Sequence, residues 1–174
     1  MIGKAPWAHS RATRFSRRPC AWAGSIAKAN PRLKIVKVLD TNHLAELEEN
    51  SAAGRLLRTR LKNQTDPLAT TIITVEEHLR GWLALLNRSN DPDWQIPVYA
   101  RLQKQVELFS NWLVLPFDQE AAILLREFQY RRIRIGTMDL KIACIAITHD
   151  ATLLTRNTVD FAQVPGLRFE NWLD

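Results

Sequence analysis

Asp40, Glu77, Asp139 and Asp160 are the side chains of this 174-residue sequence whose types and spacing best suit joint chemistry. Asp40 directly follows the run Ile35-Val36-Lys37-Val38-Leu39, and Glu77 falls in the first turn of a helix expected after Leu68–Thr74. Asp139 falls in the first turn of a helix beginning at Thr137, and Asp160 comes five residues after the run Ala151–Thr155. In an open parallel sheet, ligands bind outside the carboxyl ends of the strands, where all four of these acids are expected. Taken singly, each has a plain structural explanation. Asp40 can cap a helix, Glu77 and Asp139 can complement a helix dipole, and Asp160 can cap the turn before Phe161. Taken together, converging carboxylates repel one another and raise their own pKa values unless a divalent cation neutralises them. An all-oxygen donor set suits a hard ion, Mg²⁺ or its substitute Mn²⁺. Such an ion activates a water and stabilises a leaving oxygen, which is the chemistry of phosphodiester hydrolysis.

The elements needed to position these acids can be read from hydrophobic period and turn chemistry. Ile35–Leu39, Leu68–Thr74, Trp112–Phe117, Ala151–Thr155 and Leu167–Phe169 are short apolar or β-branched runs expected to be strands. Helices are expected after Asp40-Thr41-Asn42, from Ser51 to about Leu61, over Val75–Leu86, from near Pro97 through Phe109, from Asp118 through Tyr130, and over Met138–Thr148 with Thr137 as N-cap. Ser89–Asp93 reads as a loop. Strands alternating with helices imply an α/β domain of three layers, a mostly parallel sheet of about four or five strands flanked by helices.

The net charge of +6 is unevenly distributed. Residues 1–39 hold nine Lys/Arg and no Asp or Glu, leaving 15 basic residues against all 18 acidic ones beyond, a net of −3. Residues 1–34, with Pro6, Pro19 and Pro31 and no sustained period, read as a basic, unstructured extension. Transit peptide, phosphate-touching arm and upstream sequence from an early start assignment all fit it. Residues 35–174 form the folded domain. Cys20 and Cys144 lack disulfide or zinc spacing, which fits a reducing cytoplasm, and no apolar run is long enough to span a membrane. His9, His43, His78 and His149 read as surface or helix-end residues, and no Gly-rich phosphate loop is present.

Four segments, Val38-Leu-Asp40-Thr-Asn42, Thr74-Val-Glu-Glu77-His-Leu-Arg-Gly81, Ile135-Gly-Thr-Met-Asp139-Leu-Lys-Ile-Ala143 and Leu154-Thr-Arg-Asn157-Thr-Val-Asp160-Phe, occur in an order that resembles PIN-domain proteins, above all the VapC ribonuclease toxins of type II toxin–antitoxin pairs. The resemblance covers about residues 35–174. It implies a Mg²⁺-dependent endoribonuclease whose catalytic metal ligands are Asp40, Glu77, Asp139 and Asp160. Glu77 is preferred to Glu76 because Gly81 follows it by four, and Asn157 shares the case for the last position. Thr41, Asn42, Thr155 and Asn157 would orient the carboxylates. Arg131, Arg132 and Arg134 would form a rim holding the RNA backbone, the alternative being cations that favour a helix C-terminus. A homodimer and a small cognate antitoxin are implied as well. A PIN-like binding module without RNA cleavage, or a structure-specific DNase on the same scaffold, are the competing readings.

Overall fold

A computed structural model describes residues 36–49 and 51–174. The expected basic extension, residues 1–34, lies outside the described residues. Five strands form one sheet in the order β3-β2-β1-β4-β5: β1 Lys37–Leu39, β2 Leu68–Thr71, β3 Leu113–Leu115, β4 Thr152–Leu154 and β5 Arg168–Glu170. Every pairing is parallel. β1 and β4 are buried at every residue, so both sheet faces are covered. The helices are α1 Thr41–Glu48, α2 Ala52–Lys62, α3 Ile72–Leu86, α4 Pro92–Ser110, α5 Gln119–Tyr130, α6 Thr137–Thr148 and the four-residue α7 Thr158–Phe161. The core gathers Val38, Ala69 and Leu153 from the sheet with Leu125 and Phe128 of α5, Phe161 of α7 and the buried run Leu140 and Ile142–Ala146 of α6.

Several element boundaries differ from the expected ones, each for a local reason. β2 stops at Thr71 rather than Thr74, because the Thr71 hydroxyl accepts the Thr74 N–H at 3.1 Å and caps α3. Glu77 therefore sits in the second turn of its helix. The expected Ser89–Asp93 loop is shortened because Asp91 caps α4 and Pro92 opens it, which leaves Pro97 inside the helix. Gly136, not Thr137, is the N-cap of α6, with no side-chain capping bond. At Gly54 an added Cβ would meet Glu46 O at 2.2 Å, so glycine is required where α2 passes the end of α1.

Register brings the site together. Leu39 pairs with Thr70 on one side and Leu154 on the other, and the order reverses at β1. Asp40, Thr155 and the start of α3 consequently emerge at one carboxyl edge, at the topological switch point.

Candidate functional site

Asp40 is 4% exposed and held from three sides. Its N–H still donates to Leu154 O at 3.0 Å, as a sheet residue's would, while its side chain caps α1. Asp40 Oδ1 accepts the Thr41 N–H at 2.7 Å, and Oδ2 accepts Thr155 Oγ1 at 2.8 Å and Asn42 Nδ2 at 3.1 Å. Thr41 also donates its hydroxyl to Glu77. Glu76 turns outward to an exposed ion pair with Arg80, so Glu77 is the member of the pair that faces Asp40. The glycine that distinguished them is not sterically demanded, since a Cβ at Gly81 would meet nothing within 4 Å.

On the other side of Asp40, the Asn157 side-chain amide donates to Asp139 Oδ2 at 3.2 Å and to Asp160 Oδ2 at 2.9 Å. One amide thus bridges two carboxylates, and the Asn157 backbone N–H donates to Thr155 Oγ1 at 3.1 Å. A Cβ at Gly136 would lie 3.4 Å from Asp139 Oδ2, an ordinary van der Waals contact, so the start of α6 packs directly beside this carboxylate.

The charges of Asp40, Glu77 and Asp160 all bear on Asp139. Burial raises the Asp139 pKa to about 6, reinforced by the charges of Asp40, Glu77 and Asp160 and opposed by the Asn157 amide. Asp40 is raised as well, first by burial and also by Glu77, against the bonds from Thr155, Thr41 N–H and Asn42. Among the described residues, no three His, Cys, Asp or Glu side chains lie close enough together to hold a metal ion between them. The donor chemistry still fits a hard cation: the charges raising Asp139 are all carboxylates, and Mg²⁺ needs only one or two carboxylates with water completing its shell.

Arg131, Arg132 and Arg134 are exposed in the α5–α6 connection, and Arg131 pairs with Glu127 at 2.6 Å. None of the three figures among the groups shifting Asp139. A cleft of about 830 Å³ beside α1, α3 and α4, lined by Glu48, His78, Trp82, Arg101 and Gln105 among others, does not include the four acids. Cys144 is buried, and burial pushes its thiol up to about 12, so it supplies no nucleophile.

His43, read as a surface or helix-end residue, stands in the first turn of α1 but is fully buried rather than exposed. Burial, with Arg156 nearby, lowers its pKa to about 4, against Asp174 and Glu46. Its bonding partner Trp172 is 129 residues away, so no local signal could have marked it.

An all-parallel α/β domain with four carboxylates assembled at its switch point is the class defined by fold and site. The model of the PIN domain family matches residues 37–167, and the chain belongs to that family. The chain is 36% identical over 86 residues to ribonuclease VapC1 of Rickettsia felis, covering 47% of this chain and 62% of that protein. It is 25% identical over 140 residues to ribonuclease VapC1 of Haemophilus influenzae R2866, covering 79% and 98%. The match to ribonuclease VapC2 of R. felis, at 43% identity over 75 residues, covers 40% of this chain and 56% of that protein, so the two R. felis matches each span about 60% of the relative. Among solved structures, DNA-bound VapBC from Salmonella typhimurium superposes with a TM-score of 0.59 at 27% identity, covering 79% and 98%. VapBC-1 of nontypeable H. influenzae does so at 0.63 and 23%, covering 80% and 100%, a likeness of fold.

Proposed function

We propose that this protein is a Mg²⁺-dependent endoribonuclease, the toxin of a type II toxin–antitoxin pair, with Mn²⁺ able to substitute. The observation that carries the reading is the convergence on Asp139 of the charges of Asp40, Glu77 and Asp160, with the Asn157 amide joining Asp139 to Asp160. Relatives named ribonuclease VapC, and solved neighbours that are VapBC complexes, support the ribonuclease and antitoxin assignments.

Asp40, Glu77, Asp139 and Asp160 would hold the metal. When bound, the ion supplies Lewis-acid stabilisation of the phosphoryl oxygens and a water of lowered pKa for in-line attack. Thr41, Asn42 and Thr155 fix the rotamers of Asp40 and Glu77, which limits the reorganisation needed when a cation arrives. Asn157 links Asp139 and Asp160 by donating to both carboxylates. Arg131, Arg132 and Arg134 hold the RNA backbone beside the acids, through charge rather than base readout. Residues 35–174 constitute the nuclease domain and residues 1–34 a basic extension. The protein works in the cytoplasm as a homodimer and is silenced by a small cognate antitoxin; no helix of the described residues is long and apolar enough to cross a membrane.

The test is cleavage of a structured RNA by the purified full chain with Mg²⁺ or Mn²⁺. Cleavage should stop with chelator and be lost in Asp40→Asn and Asp139→Asn while both variants keep their circular dichroism spectrum. Cleavage of DNA in preference to RNA would replace the reading by a DNase, and tight RNA binding without cleavage by a binding module.

A further inference from the structure

His43 lies three residues after Asp40, in the first turn of α1, and its two ring nitrogens face opposite ends of the domain's chain. Nε2 accepts the backbone N–H of Trp172 at 3.2 Å. A backbone amide only donates, so Nε2 carries a lone pair and the proton of the neutral ring sits on Nδ1. Nδ1–H then donates to Asn42 Oδ1 at 2.9 Å. The same oxygen accepts the backbone N–H of Arg156 at 3.1 Å, so two N–H donors converge on it. An Asn42 amide turned over would present its own N–H₂ to both donors, so the amide has one orientation. In that orientation Nδ2 points at Asp40 Oδ2, 3.1 Å away.

The segment beyond β5 is itself anchored. Leu173 is 4% exposed, the Trp172 ring lies 5.6 Å from Lys37 Nζ, and Asp174 pairs with Arg156 at 3.6 Å. A fixed Trp172 N–H sets the tautomer of His43, the tautomer sets the Asn42 amide, and the amide sets the second oxygen of Asp40.

We infer that His43 is a positioning residue for the Asp40 carboxylate, acting as a neutral, Nδ1-protonated imidazole that ties the C-terminal segment at Trp172 through Asn42 to Asp40. The inference rests on the reading that Asp40 holds a cation only for its consequence in metal binding; the positioning itself is a property of the metal-free chain.

Two conservative variants separate positioning from packing. In His43→Gln the side-chain amide falls near the place of Nε2, keeping an acceptor for Trp172 and losing the donor to Asn42. In His43→Asn the amide falls near Nδ1, keeping that donor and losing the acceptor. Both should melt lower than the unsubstituted chain. By NMR of the full metal-free chain at pH 7, His43→Gln should move the Asn42 side-chain amide and the Asp40 carboxyl carbon signals, and His43→Asn should leave both near their original places. Mn²⁺ binding, followed by calorimetry, should weaken about tenfold in His43→Gln and change less than about twofold in His43→Asn. The imidazole ¹⁵N signals of the unsubstituted chain should report an unprotonated Nε2. A protonated Nε2 would overturn the inference, as would equal displacement, or equal constancy, of the Asp40 signal in the two variants. If the unsubstituted chain binds no Mn²⁺, the metal reading fails by itself, and the Asp40 signal still decides the role of His43.

Discussion

Lys37 and Asp40 stand three residues apart at the two ends of one short strand, both buried, and their surroundings treat charge in opposite ways. Lys37 reaches Glu170 Oε1 at 2.7 Å beneath the Trp172 ring, whose indole N–H donates to the other Glu170 oxygen at 2.7 Å. Burial alone would raise the Glu170 pKa, but the Lys37 and Trp172 bonds and the Lys37 charge outweigh it and hold it low. Asp139, beyond the other end, is driven up to about 6 by burial and three neighbouring carboxylates. One carboxylate has its counter-charge supplied by the fold, and the other has only an amide from Asn157. The first arrangement braces the sheet edge. The second leaves carboxylate charge without a counter-charge from the fold, which is what the proposed metal site would require before a cation arrives.

The largest expected effect follows from removing that unmet charge. Asp139→Asn and Asp40→Asn should each lower RNA cleavage by about 100-fold or more, measured with saturating Mg²⁺. The same Asp139→Asn should raise the melting temperature of metal-free protein at pH 7.5. Asp139 has a folded pKa above its ordinary value of 3.8, so its folded form binds the proton more tightly. The Asp139 contribution to metal-free stability should therefore fall as pH rises from about 4 to about 6 and level off beyond, against the opposite contribution of His43, whose pKa lowered to about 4 makes stability rise over the same range. Asp139→Asn should flatten that decline. A substituted protein that melts lower at pH 7.5 would mean that the cluster is balanced after all, and the contrast with Glu170 would collapse.

Metal addition gives the next effect. Mn²⁺ should raise the melting temperature at pH 7.5, and the rise should shrink as pH falls through about 6, where protons compete for Asp139. A rise independent of pH between 5 and 7.5 would place the ion elsewhere.

In the matched pair, Lys37→Met and Glu170→Gln should cost about 1–2 kcal/mol in urea denaturation, less than for a fully buried pair because the Glu170 side chain is 44% exposed and partly screened. The Glu170 contribution has the opposite pH sense. Its folded pKa lies below the ordinary 4.5, so the stabilisation is present above about pH 4.5 and is lost as pH falls through the lowered value. Glu170→Gln keeps an acceptor for the Trp172 indole N–H, so the link from Trp172 through His43 and Asn42 to Asp40 should hold and Mn²⁺ affinity should change less than about twofold. A large loss of affinity would show that the brace and the acidic site are one energetic unit.

The difference between these regions also governs what the sequence revealed. Asp40, Glu77, Asp139 and Asp160 were legible because each lies near an expected strand end or helix start, and the five-stranded parallel sheet was legible from the alternation of short apolar runs with helical periods. Boundaries were lost where a local signal had two meanings. Leu68–Thr74 has strand composition, yet Thr71 within it is an N-cap; Asp91-Pro92 reads as a turn and is also a helix start. Partnerships across the chain carried no signal at all. Lys37, read within a strand, showed no partner because Glu170 lies 133 residues away, and His43, read as a surface or helix-end residue, showed none for the same reason. Nothing in residue type distinguishes Glu170, which is matched, from Asp139, which is not; only the folded neighbourhood does.

The smallest expected effect concerns whether arginines share in meeting the acidic charge. Arg132 occupies the left-handed region at φ 57°, one residue past the α5 cap, where its N–H bonds to Gln129 O at 3.0 Å and the Ile133 N–H bonds to Phe128 O at 3.1 Å. This is the helix-ending arrangement that favours glycine, and an arginine there costs about 1 kcal/mol. Because Arg132 is exposed, Arg132→Gly should stabilise the protein by roughly 0.5–1 kcal/mol in urea denaturation. If the arginine rim grips RNA, the same variant should bind RNA more weakly at low salt, with the loss fading as salt rises. Its Asp139 titration should not move, because the groups acting on that carboxylate are its three acidic neighbours and Asn157. A raised Asp139 pKa in Arg132→Gly would make the rim part of the charge balance at the site, and the unmet charge assigned to the metal would then be smaller by that much.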